Sequence, residues 1–87
     1  MKELIGKKVH IETLDYSTAH RNGVPSQLAF QGIIRAVRTN LIEVIGCIIV
    51  KSPYVRQGTP IGTPEDARWF NVQASTFISM DVVGEKD

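Results

Sequence analysis

Alternation of apolar and polar side chains with a period of two residues runs through most of this 87-residue sequence. In residues 7–14, Val9 and Ile11 alternate with polar neighbours, which is typical of a β-strand with one buried face. Residues 28–37 continue this pattern, and residues 41–51 are apolar almost throughout and rich in β-branched side chains. The pattern therefore predicts an all-β domain.

A glycine inside the second predicted strand suggests how the sheet is shaped. Gly32 falls on the apolar face of that strand, where a glycine usually marks a bend, a bulge or a closely passing backbone. Residues 69–74 and 77–83 alternate again and are interpreted as a closing hairpin. We therefore predict a small, bent five-stranded barrel of the SH3-like or OB-like kind, with at most a short helical turn at residues 63–66.

The length of the chain predicts one domain over residues 1–87, with a frayed tail at residues 84–87. Residues 15–27 lack periodicity and collect Asp, Ser, Asn, Gly and Pro, so we expect a loop there. Residues 52–63 contain two Pro and two Gly, which predicts an excursion away from the sheet. The sequence does not assign a role to the long loops at residues 15–27 and 52–68, the second of which contains Arg68.

Composition restricts the partners of the protein. Ten basic and nine acidic residues give a net charge of +1, so nucleic-acid binding would need a local basic cluster. The longest apolar run, residues 44–50, is too short to span a bilayer, and the opening residues do not resemble a signal peptide. We expect a cytoplasmic protein without a membrane partner. The single cysteine, Cys47, excludes an internal disulfide and is expected to be a buried thiol.

Candidate catalytic or metal-binding residues are few. His10 and Glu12 share a strand face, and Asp15 precedes His20 by five residues in a loop. An acid-base pair or a two-ligand metal site is compatible with this spacing, but a solvated strand face explains the first pair and a flexible loop explains the second. No third ligand and no nucleophile with an adjacent base is evident. We therefore expect no enzymatic activity, no metal and no cofactor.

Four segments resemble the sequence blocks of the Sm-like (LSm) protein family. They are LIGKKVHIETLD at 4–15, AFQGIIRAV at 29–37, NLIEVI at 40–45 and FNVQASTFISMDV at 70–82. Gly32 stands in the place of the mid-strand glycine of the family, and Asn40 stands in the place of its loop asparagine. The resemblance covers most of the chain.

The resemblance implies a homo-oligomeric ring in which the fourth strand of one subunit pairs with the fifth strand of the next. It also implies that two turns line a central pore that binds single-stranded, uridine-rich RNA. The RNA-binding candidates in these turns are Arg38, Thr39, Asn40, Ser75 and Thr76. The apolar candidates for the subunit interface are Val72, Phe77, Ile78 and Met80.

Both predicted RNA-binding turns differ from the pattern of the family. The first is shorter and offers only Arg38 and Thr39 before the asparagine, and the second has Ala-Ser-Thr where Arg-Gly is usual. Neither turn contains an aromatic side chain for base stacking. Trp69 is a candidate stacking residue, although a core or interface position is the favoured interpretation. A ring or barrel that assembles with proteins and binds no RNA is therefore the alternative function.

Overall fold

The computed structural model describes residues 2–16, 23, 25–52, 56–63 and 65–83. The predicted tail at residues 84–87, His20, and Pro64 within the predicted helical turn lie outside the described residues. In the described part of the chain, no helix is long and apolar enough to cross a membrane.

Antiparallel β-structure makes up nearly all of the fold, which confirms the all-β prediction. A short 3-10 turn at Lys2–Leu4 precedes six strands: β1 Lys8–Asp15, β2 Ser26–Arg38, β3 Leu41–Lys51, β4 Thr59–Pro60, β5 Ala67–Asn71 and β6 Phe77–Val82. The predicted number of five strands is too low by one, because the two-residue β4 pairs with Ile48 and Ile49 of β3. The segment 52–63 was predicted to leave the sheet, and this prediction is wrong for Thr59 and Pro60, which pair with β3.

The two last strands do not form the predicted hairpin. Strand β5 pairs with the first half of β3, whereas β6 pairs with β1, so the strand order is β5-β3-β2-β1-β6. A flat sheet would separate β5 from β6 by four strand spacings, roughly 19 Å. The connection from Asn71 to Phe77 folds into two successive turns and is too compact to cross that width. The sheet therefore curls into a barrel.

The bend predicted at Gly32 is confirmed by the packing of β2 against β3. Gly32 lies at a β-bulge, opposite Gly46 and Cys47 of β3. A Cβ atom on Gly32 would overlap Val44 Cγ1 and would lie 2.9 Å from the carbonyl oxygen of Ile45. Gly46 has a φ of 60°, in the left-handed region that glycine adopts without strain. The two glycines together allow the strands to cross closely and to bend.

The core lies inside this bend and is built by four strands. The buried apolar cluster is Val9, Ile11, Phe30, Ile34, Ile42, Val44, Cys47 and Phe70. The rings of Phe30 and Phe70 are 5.5 Å apart between centroids and tilted by 54°, a favourable arrangement for two aromatic side chains. Cys47 is buried as predicted, and this burial raises the pKa of its thiol.

Candidate nucleic-acid interface

The first predicted RNA-binding turn is a two-residue hairpin connection. Arg38 ends β2 and pairs with Leu41 of β3, so that Thr39 and Asn40 alone make the turn. Thr39 has a φ of 35°, which a β-branched residue rarely adopts. A non-glycine residue in the left-handed region costs on the order of 1–2 kcal/mol, so other contacts must hold this turn in place.

Those contacts join the first turn to the connection between β5 and β6. Asn40 Nδ2 donates a hydrogen bond to Asn71 Oδ1 at 3.2 Å, and the Val72 N–H donates to the Asn40 carbonyl oxygen at 2.9 Å. Asn71 Oδ1 also accepts from the Gln73 N–H at 2.9 Å. Among the described residues, Asn40 Oδ1 has no hydrogen-bond partner. This oxygen can therefore accept a hydrogen bond from a ligand.

The side-chain contact with the first turn comes from a residue that lies before the second predicted turn. Ser75 is exposed, and the carbonyl oxygen of Thr76 accepts a hydrogen bond from the Leu14 N–H at 2.7 Å. Asn71, which lies before the predicted turn, makes the side-chain contact with Asn40. Sequence reasoning missed this residue. The sequence signal for Asn71 was its position at the end of a strand, because an asparagine there often accepts a hydrogen bond from the backbone two residues further on.

Trp69 lies on the outer face of the barrel and is 43% exposed, so of the two favoured positions, core or interface, the core position is wrong and the interface position stays a prediction. Neighbouring residues of β5 alternate in orientation, which places Phe70 in the core and Trp69 outside. The guanidinium carbon of Arg38 lies 5.6 Å from the centroid of the indole ring. This separation permits a cation-π interaction between a predicted RNA-binding residue and an exposed aromatic ring.

An ion pair lies beside Trp69 on the same face. Arg35 donates two hydrogen bonds to the Glu43 carboxylate, from Nε to Oε1 at 3.0 Å and from Nη2 to Oε2 at 2.7 Å. Glu43 is the cross-strand neighbour of Trp69, and it is nearly buried. The hydrogen bonds from Arg35 hold the pKa of the Glu43 carboxyl below its usual range, and the charge of Arg38 acts in the same direction.

The predicted interface residues fall into two groups. Val72, Phe77 and Met80 are partly buried and pack against the core of their own chain. Ile78 is 44% exposed and lies at a β-bulge of β6, and Val82, the last residue of β6, is also exposed. In the described ranges, no strand pairs with the outer edge of β5 or of β6. Both outer edges are therefore open for pairing.

An open cavity of about 410 Å³ lies between β5 and the end of β1. Phe30 and Phe77 contribute apolar lining, and Thr76 contributes a polar group. The guanidinium of Arg68 lies 5.2 Å from the Phe30 ring centroid and 5.8 Å from that of Phe70. Sequence reasoning placed Arg68 in a long loop, but it belongs to β5. Its charge is thus directed towards the cavity and away from Trp69.

His10 and Glu12 form part of a hydrogen-bonded network on the surface of the sheet. His10 Nε2 lies 3.2 Å from Glu12 Oε2, and His10 Nδ1 lies 3.3 Å from Gln31 Nε2. Both ring nitrogens of the histidine are therefore within hydrogen-bonding distance of a partner. Over the ranges that the structure describes, no three His, Cys, Asp or Glu side chains are grouped so that they could hold a metal ion.

These features define a small all-β protein with open strand edges and with a polar turn beside an exposed tryptophan. Comparisons with protein-family models, curated proteins and solved structures found no match. The geometry and chemistry of the chain itself therefore carry the functional argument.

Proposed function

We propose that this protein is an Sm-like, ring-forming RNA chaperone or scaffold that binds single-stranded, uridine-rich RNA through its two turns. The observation that carries the proposal is the hydrogen bonding of Asn40 to Asn71 and Val72. It brings the turn after β2 and the start of the β5-β6 connection together at one place. In this proposal the protein is non-enzymatic and cytoplasmic.

Ring formation is supported by the ends of the strand order. Strand β5 has five residues and β6 has six, so their outer edges are similar in length and can pair between two subunits. The two edges belong to different surfaces of one subunit, which makes the contact heterologous. A heterologous contact closes into a ring when its rotation divides a full turn.

RNA binding is supported by the polar groups at the turn between β2 and β3, Thr39–Asn40, which we call the Asn40 turn. The free Asn40 Oδ1 can accept a hydrogen bond from the edge of an unpaired base, and Arg38 supplies a positive charge for phosphate. No described residue forms an ion pair with Arg38. Single-stranded RNA is recognised through such hydrogen bonds to base edges together with stacking.

The alternative function is protein assembly on the same fold without RNA. Exposure of Ile78 and Val82 favours it, because apolar side chains on an open strand edge suit a protein partner. The engagement of Asn40 Nδ2 by Asn71 also favours it, since that amide group has a partner without RNA.

Fluorescence anisotropy with labelled oligo-U and oligo-A at two salt concentrations separates the two functions. We expect tighter binding of oligo-U and a loss of affinity with salt, since phosphate contacts release counterions. Replacing Arg38 and Asn40 together with Ala should weaken binding of oligo-U by about 1–3 kcal/mol without altering the assembly state.

Arg56→Ala is the matched control, because Arg56 is an exposed arginine in the segment between β3 and β4. It removes one positive charge at a position outside both turns. Unchanged affinity of the double variant would place the binding elsewhere, whereas an equal loss of affinity in the two variants would indicate non-specific attraction by positive charge. An absence of oligo-U binding by the native protein, combined with a ring-sized mass in light scattering, would favour the assembly function.

A further inference from the structure

The Asn40 turn lacks an aromatic residue for base stacking, but the fold places one next to it. Arg38, Asn71 and Trp69 lie on the same face of the sheet, because Arg38 and Asn71 both pair with Leu41 and Trp69 lies two residues before Asn71 on β5. Two residues of a strand span roughly 7 Å. The indole of Trp69 is therefore close to the amide pair formed by Asn40 and Asn71.

The charges around Trp69 favour an anionic ligand. Glu43 is the nearest acidic neighbour across the strands, but its carboxylate is held by both hydrogen bonds of Arg35 and is nearly buried. Arg38 is exposed, lies over the indole and forms no ion pair with a described residue. Arg35, Arg38 and Glu43 together give this patch a net charge of +1, and Arg38 carries its positive charge next to the exposed ring.

We propose that Trp69 and Arg38 form a stacking site for one nucleobase of single-stranded RNA, on the outer face of the barrel beside the Asn40 turn. The base would stack on the indole, and the guanidinium would contact the base or its phosphate. A neighbouring base would then present its edge to Asn40 Oδ1. This inference rests on the proposed function, because it assigns a further contact to the same RNA.

Trp69 is the single tryptophan of the chain, so its intrinsic fluorescence reports directly on this site. We expect unlabelled oligo-U to quench the emission of the native protein, with a midpoint equal to that measured by anisotropy. Trp69→Ala should weaken the binding of labelled oligo-U about 5- to 150-fold, which corresponds to ~1–3 kcal/mol for one stacked base. Trp69→Phe should restore most of the affinity, because a phenyl ring also stacks.

Ile33→Ala is the matched control, since Ile33 is a large apolar side chain on β2 with the same degree of exposure as Trp69. It should leave the affinity for oligo-U unchanged. The mass of every variant is measured by light scattering, so that a change in assembly is separated from a change in RNA binding.

Three results would overturn the stacking site, and they differ in what they say about the proposed function. RNA binding with unchanged tryptophan emission and full affinity in Trp69→Ala would refute the stacking site alone. The tryptophan emission of the native protein would change on dilution, and the Trp69→Ala variant would have a lower mass than the native protein, if Trp69 formed a contact between subunits. These two results together would therefore assign Trp69 to the subunit interface. An absence of binding by the native protein would refute the proposed function and the stacking site together.

Discussion

The crossing of β2 and β3 and the two outer strands, β5 and β6, are packed in opposite ways. At the crossing, Gly32 has no room for a single additional carbon atom. On the outer strands, Trp69, Ile78 and Val82 leave two-fifths or more of their surface exposed, and no described strand covers either outer edge. The crossing is fully packed by residues of the same chain, whereas the outer strands expose apolar side chains and backbone edges to which a partner can bind.

The difference indicates which residues serve the fold and which remain for function. Close packing makes the crossing sensitive to every change of volume, because the interior has almost no free space. The outer strands contribute less to the core and keep unpaired backbone groups. Substitutions in the two regions should therefore have separable effects, one on the stability of the chain and the other on its associations.

The largest expected effect comes from filling the crossing. Gly32→Val should lower the free energy of unfolding by about 3 kcal/mol, because its Cβ would overlap Val44 and meet the Ile45 carbonyl. Urea denaturation measures this loss. Gly46→Asn is the control, since a Cβ at Gly46 meets no atom within 4 Å and asparagine tolerates a φ of 60° better than other residues do. Equal stability of Gly32→Val and the native protein would contradict the close crossing.

The next effect concerns the outer edge of β6. The N–H of Val83 donates to the Lys8 carbonyl at 2.9 Å, and because antiparallel strands alternate, the N–H of Val82 points away from β1. Val82→Pro should thus remove a donor from the open edge, lower the assembly mass and preserve the folded chain. Val82→Thr keeps the donor and is the control. Native-like mass of the proline variant in sedimentation would exclude pairing at that position.

The smallest effect concerns the Arg35–Glu43 pair, which joins β2 to β3 where β5 pairs with β3. The folded pKa of Glu43 is lowered, so its contribution to stability is present above about pH 4.5 and is lost as the pH falls through the folded pKa. Glu43→Gln should therefore be less stable than the native protein at pH 7, and should lose less stability on acidification to pH 3. Melting temperatures at both pH values test this, with Glu65→Gln as the exposed control. If the melting temperature of Glu43→Gln depended on pH in the same way as that of the native protein, the Arg35–Glu43 pair would not stabilise the fold.

The alternation of side chains in the sequence predicted most of the fold correctly. Strand β1 was assigned to within one residue and β3 at both ends, because one-sided and two-sided burial leave clear patterns over 8 to 11 residues. Gly32 was identified as a bend from its position alone. Strand β4 was missed, since it has only two residues, one of them a proline, and two residues carry no detectable period.

Partner strands and neighbouring side chains at the site depended on tertiary structure. The pattern of β5 and β6 is the same whether they form a hairpin or pair with β3 and β1, because alternation specifies a face and not a partner. The contact of Arg38 with Trp69, which are far apart in the chain, and the bond of Asn40 to Asn71 follow from that pairing. The sequence by itself determined the three long strands β1, β2 and β3, the bend at Gly32 and the buried cysteine. Only the curled sheet, in which β5 lies alongside β3, decided which residues surround the Asn40 turn.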